Sequence, residues 1–203
     1  MAVAYPLGDR TIVWCSPELQ DRLSTLNDPR PLGNEEFVDR CVRLGGSAVG
    51  SGHHRVLSRP APEPAVDPAR VVTLDRDDAD DRTLIAQFVR KCSPEDLDEA
   101  ELAMDDLDEA LVGVLDADGA IASLAGARPW RYDDTVDDIA VITRPDRRGQ
   151  GLGAAAVAAL SQRRQRAGRT MFYNCNVDNV GSNRVAEAVG FELAFTVAAA
   201  SFA

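Results

Sequence analysis

Apolar residues along the chain fall into two spacings. Between Arg10 and Cys15 the run RTIVWC predicts a short strand. Ser16-Pro17-Glu18 behind it reads as a helix start, with Ser16 as cap and Pro17 in the first helical position. Phe37, Val38, Cys41, Val42 and Leu44 lie near helical spacing, and Gly45 to Gly52 then reads as a flexible turn. From Arg70 onward the pattern is more regular. VVTL predicts a strand ending at Leu74, and the acidic run Asp77 to Asp81 suits the first turn of a helix continued by Leu84, Ile85, Phe88 and Val89. Ser93-Pro94-Glu95-Asp96 opens a second helix. Leu111 to Leu115 and Ala120 to Ala127 form a hairpin pattern about Asp116-Ala117-Asp118-Gly119, with Trp130 and Tyr132 in the loop after it. Ile139 to Thr143 predicts a strand stopped by Arg144-Pro145. An alanine-rich helix follows, closed by Gly168. Thr170 to Asn176 alternates as a strand, Asn179 to Val189 forms a last helix ended by Gly190, and the tail to Phe202 supplies one or two closing strands. The order is β-α-α-β-β-β-α-β-α-β, an α+β fold with a mixed sheet.

Length and composition add a division. The chain of 203 residues carries four prolines in RPAPEPAVDP, residues 59–68. Residues 61–69 therefore read as a linker between a small α/β appendage at 1–60 and a main domain at 70–203. The apolar fraction of 45% supports a packed core. A net charge of −11 argues against a general nucleic-acid surface or an anionic membrane as partner. Cys15, Cys41, Cys92 and Cys175 show no metal spacing, and His53 and His54 are adjacent, so no metal is expected. No run is long and apolar enough to span a bilayer and no signal peptide is visible, which places the protein in the cytoplasm.

Charge changes the picture at one place. Arg144, Arg147 and Arg148 cluster in an acidic chain, just before Gly149-Gln150-Gly151-Leu152-Gly153 and the alanine-rich helix. Glycines let backbone N–H groups approach a ligand, and a helix N-terminus offers unpaired donors and a positive dipole end. The arrangement suits a phosphate or pyrophosphate. A Walker A loop is excluded, because it needs a lysine there and the chain's one lysine is Lys91. A dinucleotide fingerprint matches formally at Gly149, Gly151 and Ala154. The residues separating Thr143 from Gly149, and the late position in the chain, fit that arrangement poorly.

Arg148-Gly149-Gln150-Gly151-Leu152-Gly153 also fits the [QR]xxGx[GA] signature. Pro145 stands ahead of it, and Asn176, Asn179, Ser182 and Gly190-Phe191 follow in register. Over residues 70–203 the chain resembles the GCN5-related N-acetyltransferase (GNAT) superfamily. The resemblance implies a three-layer α/β/α fold with a central mixed, mostly antiparallel sheet and a splayed strand pair. It implies acetyl-CoA as cofactor and acetyl transfer to a primary amine of a small molecule or peptide by direct attack. The pyrophosphate would lie on the backbone of Arg148, Gly149, Gln150, Gly151, Leu152, Gly153 and Ala154. The pantetheine arm would pair with Val141, Ile142 and Thr143 as if it were a strand, and Asn176, Asn179 and Ser182 would line its other side. For Asn179 and Ser182, helix capping is the plainer alternative. The family's base is commonly a carboxylate on the strand before the loop, which points to Asp137 or Asp138. Strand alternation puts those two on opposite faces. Two neighbouring acids would also favour a cationic amine. The family's usual tyrosine acid is replaced by Ala186, leaving Cys175, Tyr173 and Tyr132 as substitutes. That gap also leaves room for a non-catalytic CoA-binding or sensing module. A homodimer is a further family expectation.

Overall fold

The computed structural model describes residues 1–7, 9–24, 32–100, 111–130 and 133–202. In chain order the strands and helices are β1 (Ala2–Leu7), β2 (Arg10–Cys15), α1 (Pro17–Ser24), α2 (Asn34–Arg43), β3 (Ser47–Val56), β4 (Val71–Leu74), α3 (Ala79–Val89), α4 (Pro94–Glu99), β5 (Leu111–Leu115), β6 (Ile121–Trp130), β7 (Asp133–Thr143), α5 (Leu152–Arg166), β8 (Thr170–Asn176), α6 (Val180–Val189) and β9 (Glu192–Ser201). From β4 onward this is the order read from the hydrophobic pattern, with a single closing strand. The chain divides into two compact units, 1–55 with 174–180 and 193–203, and 56–173 with 181–192.

In the larger unit the strand order is β8-β7-β6-β5-β4. Neighbours pair antiparallel, except that β7 and β8 run parallel. One face is closed by α3. Ile85 and Phe88 pack there on Leu74, Leu111, Ile121, Leu124, Ala140 and Ile142. The other face carries α5, whose alanines Ala155, Ala156 and Ala158 are buried together with Val157 and Leu160. Small side chains let the helix axis lie close to the sheet while still removing apolar surface from water. Helices on both faces of a mixed, mostly antiparallel sheet make the layered α+β fold that the pattern and the resemblance implied.

The proline-rich stretch expected as a linker is bound along α5. Gln165 accepts from the Ala61 N–H at 2.9 Å and donates to the Arg59 carbonyl at 2.9 Å, while Gln162 donates to the Pro62 carbonyl at 3.1 Å. Prolines lack an N–H but keep carbonyl acceptors, and glutamine side chains on a neighbouring helix satisfy them.

In the smaller unit the order is β2-β1-β9-β3. Ala2, Ala4, Ala198 and Ala200 form the floor on which Leu19, Leu23, Phe37 and Cys41 of α1 and α2 pack. Ala2 pairs with Ala200 and Ala4 with Ala198, so the expected N-terminal appendage shares its core with the C-terminal strand. The stretch expected as a flexible turn, Gly45 to Gly52, falls largely on β3. Its glycines admit close neighbours: a Cβ on Gly46 would stand 2.9 Å from the Phe202 ring, and one on Gly52 would stand 3.6 Å from Val197. Tertiary packing overrides the weak strand propensity of this segment.

Candidate active site

Strand β7 organises the site. Against β6 it pairs from Asp133 through Thr143. Against β8 it pairs at three positions, Val136 with Thr170, Asp137 with Met171 and Asp138 with Phe172. Past Asp138 the two strands part. The β8-facing edge of Ile139 to Thr143, which includes Val141, Ile142 and Thr143, therefore offers backbone groups with no ladder partner among the described residues.

The chain then turns. Pro145–Arg147 is one turn of 3-10 helix, Gly149 and Gly151 adopt φ of 76° and 75°, and α5 begins at Leu152 with Gly151 in the cap position. No side chain caps this helix. The first N–H groups of any α-helix lack intrahelical acceptors, so the donors of Leu152, Gly153 and Ala154 face outward from the end of a 15-residue helix. The glycines have separate reasons. Gly149 and Gly151 are required by their left-handed backbone, and a Cβ on either would meet nothing within 4 Å. A Cβ on Gly153 would stand 3.0 Å from Thr143 Oγ1 and 3.3 Å from Val185, so here glycine lets α5 approach β7 and α6.

The three loop arginines differ from the expectation of free positive charge. Arg144 is buried; its guanidinium donates to Asp146 at 2.7 and 3.0 Å and to Asp116 at 3.2 Å. Arg147 donates to the same Asp116 oxygen at 2.8 Å. Arg148 reaches Asp96 on α4 at 2.6 Å, with its side chain 51% exposed. The Arg144 hydrogen bond is the main reason the Asp146 carboxyl is held below its ordinary pKa, and the Arg148 bond does the same for Asp96. These pairs brace the loop. What the loop leaves available is the run of backbone N–H groups from Gly149 to Ala154, with the half-exposed Arg148 beside them and Gln150 on the exposed turn.

Asp137 and Asp138 face opposite sides of the sheet, as alternation requires. Asp137 is fully buried. Arg164 of α5 binds one carboxylate oxygen at 2.5 Å, and Arg169, which leads into β8, binds the other at 2.5 and 2.9 Å. This carboxylate is a structural tie between β7, the end of α5 and the start of β8. Asp138 shares its face with Ala140 and Ile142, stands at the last rung before the strands part, is 8% exposed, and accepts from Arg128 at 3.2 Å. Both acids are thus paired with arginine.

Ser182, in the first turn of α6, shares a 2.8 Å hydrogen bond with the hydroxyl of buried Tyr173, whose ring packs on Phe191. Asn176 and Asn179 belong to the smaller unit. There the Asn176 side chain accepts from the Asp178 N–H at 3.0 Å, and its carbonyl accepts from the Asn179 N–H at 3.0 Å, shaping the turn into α6. Ala186 is buried, and Tyr132 lies outside the described residues. Sequence reasoning missed Arg128, Arg164 and Arg169, whose carboxylate partners stand 10, 27 and 32 positions away. No local spacing signals such pairs.

Among the described residues no cluster of His, Cys, Asp or Glu could hold a metal, and no helix is long and apolar enough to cross a membrane. A family model for the acetyltransferase (GNAT) family matches residues 76–191. No curated protein matches the chain. Among solved structures it is similar to a GCN5-related N-acetyltransferase from Sphaerobacter thermophilus, with TM-score 0.62 and 15% identity over 97% of this chain and 75% of that one. It is similar to a GNAT-family acetyltransferase from Colwellia psychrerythraea, with TM-score 0.58 and 13% identity over 97% and 80%. A third is a GCN5-related N-acetyltransferase from Kribbella flavida, with TM-score 0.55 and 20% identity over 79% and 61%. At such identities the likeness speaks to the fold.

Proposed function

The chain belongs to the acetyltransferase (GNAT) family, and from that premise we propose that it moves the acetyl group of acetyl-CoA to a primary amine of a small molecule or peptide. The observation that carries the reading is the edge of β7 left unpaired with β8 after Asp138, which runs to Thr143 beside the uncapped N-terminus of α5. It sets three requirements of acyl transfer along one strand: a carboxylate where the strands part, an unpaired edge, and a cluster of backbone donors at its far end. Bound acetyl-CoA would supply a thioester carbonyl open to attack by the amine lone pair, the carbon–sulfur bond breaking and the thiolate taking up a proton.

The chain's own residues fit that cofactor. The N–H groups of Gly149 to Ala154, with Arg148 at their side, would hold a pyrophosphate, and the open space at Gly149 and Gly151 leaves room for it. The edge of Val141, Ile142 and Thr143 would pair with an amide-bearing arm, and one of its N–H groups would stabilise negative charge on the carbonyl oxygen. Ser182 is proposed to line the arm. Asp138 would take the proton from the attacking nitrogen, directly or through one water. Asp137, closed off by two arginines, positions the strand.

The test is release of CoA thiol with a panel of amines. Asp138→Asn should lower kcat by roughly 10²–10⁴-fold, while acetyl-CoA affinity by calorimetry stays unchanged. Tight acetyl-CoA binding with no turnover of any amine would sink the transfer reading and leave a binding module.

A further inference from the structure

The face of β7 that carries Asp138 also carries a small aromatic shelf. Phe172 is the rung partner of Asp138, and paired residues in a parallel ladder project to the same side. Trp130 packs on Phe172 with ring centroids 5.3 Å apart. Arg128, two residues before Trp130, is the rung partner of Asp138 on the other side and binds its carboxylate at 3.2 Å. Four side chains from three adjacent strands therefore meet on one face, just outside the α3-covered core. Between Pro129 and Trp130 the β6–β7 register shifts. Such a bulge re-aims the residue that follows it, and bulges of this kind recur next to active sites. Phe172 is buried, while Trp130 keeps part of its surface exposed.

We propose that this shelf is the acceptor subsite, and that the acceptor carries its amine on a short link to an aromatic ring, as an arylalkylamine does. The inference rests on the transfer reading given above. A planar ring gains the most from lying against Trp130 over Phe172, through area buried and ring–ring contact together. The link then places the nitrogen at Asp138. Electrostatics point the same way. Asp138 is balanced by Arg128, which binds its carboxylate at 3.2 Å. The second cationic group of a polyamine would find that carboxylate already compensated.

The test combines turnover with binding. Phenethylamine and tryptamine are compared with cadaverine and spermidine in the thiol-release assay. The aromatic amines should show kcat/KM higher by at least about tenfold, roughly the worth of one well-packed aromatic contact. Trp130→Ala should raise their KM by about tenfold or more and leave the acetyl-CoA KM unchanged, whereas Trp130→Phe should raise it only about twofold. The second readout needs no turnover. The chain has two tryptophans, so in a Trp14→Phe background Trp130 reports alone, and phenethylamine should alter its fluorescence saturably. Saturable binding without turnover supports the subsite while sinking the transfer reading. Preference for spermidine, an unchanged KM in folded Trp130→Ala, or a fluorescence signal indifferent to phenethylamine overturns the proposal.

Discussion

Two adjacent aspartates have different roles because a strand turns them to different faces. Asp137 meets Arg164 and Arg169 with no exposure to water, so removing its charge strands two guanidinium groups in a partly buried place. Breaking a buried ion pair from one side typically costs about 3–5 kcal/mol. Asp137→Asn should therefore lower stability to urea by a few kcal/mol, with the midpoint shifted at constant slope, while Asp138→Asn moves it far less. If the two variants unfold at the same midpoint, the tie at Asp137 carries no weight. The sequence made half of this visible. The pair of acids, and their opposition across the sheet, follow from adjacency and alternation alone. Which acid is closed depends on Arg128, Arg164 and Arg169. The fold delivers these from β6, the end of α5 and the start of β8, and no pattern in the intervening residues foretells it.

At the scale of elements, the turn from β7 into α5 was legible almost to the residue, because glycine at positive φ and an alanine-rich helix are local requirements. Its electrostatics were not, since Asp116 and Asp96 lie far back in the chain. The fold separates a glycine kept for backbone shape from one kept for packing, and this gives a clean test. Gly151→Val places a side chain where no protein atom stands within 4 Å, at φ 75°. The left-handed backbone costs roughly 1–2 kcal/mol for a residue with a Cβ, somewhat more for a β-branched one. Gly168→Val, at the other end of the same helix, meets the same φ and the same empty surroundings, with φ 77° and nothing within 4 Å. Both variants should fold and lose similar stability. Only Gly151→Val should weaken acetyl-CoA binding, by more than tenfold in calorimetry, a loss of at least about 1.4 kcal/mol. Equal affinities would remove the loop from the cofactor site. The proline-rich segment shows the opposite limit of local reading: composition marks a linker, and Gln162 and Gln165 turn it into a fixed strip along α5.

For the molecule as a whole, acid response follows from a histidine more than from the carboxylates. His54 stacks on Phe195 with centroids 4.9 Å apart and stands edge-on to Tyr5, and burial pushes its pKa down to about 4. An unfolded chain would protonate the same ring near 6.5. Between those values the unfolded state binds a proton that the folded state refuses, so stability falls as pH drops from about 6.5 to about 4 and is level above that window. Asp96 and Asp146, held below their ordinary value of 3.8, add their own loss only at lower pH. Urea midpoints at pH 7 and pH 5 should differ in the parent and converge in His54→Phe; a parallel decline in both would assign the acid sensitivity elsewhere. The two histidines gave no such hint as a sequence pair, because their distinction arises from which one the sheet turns toward Tyr5 and Phe195.

The pairing of Ala2 with Ala200 has a consequence in time. Two of the alanines beneath α1 and α2, Ala198 and Ala200, belong to β9 and leave the ribosome well after those helices. Until then Leu19, Leu23, Phe37 and Cys41 have an incomplete floor. Burial of these two helices therefore waits on β9. Its completion depends on contacts between residues far apart in sequence, the slowest kind to form.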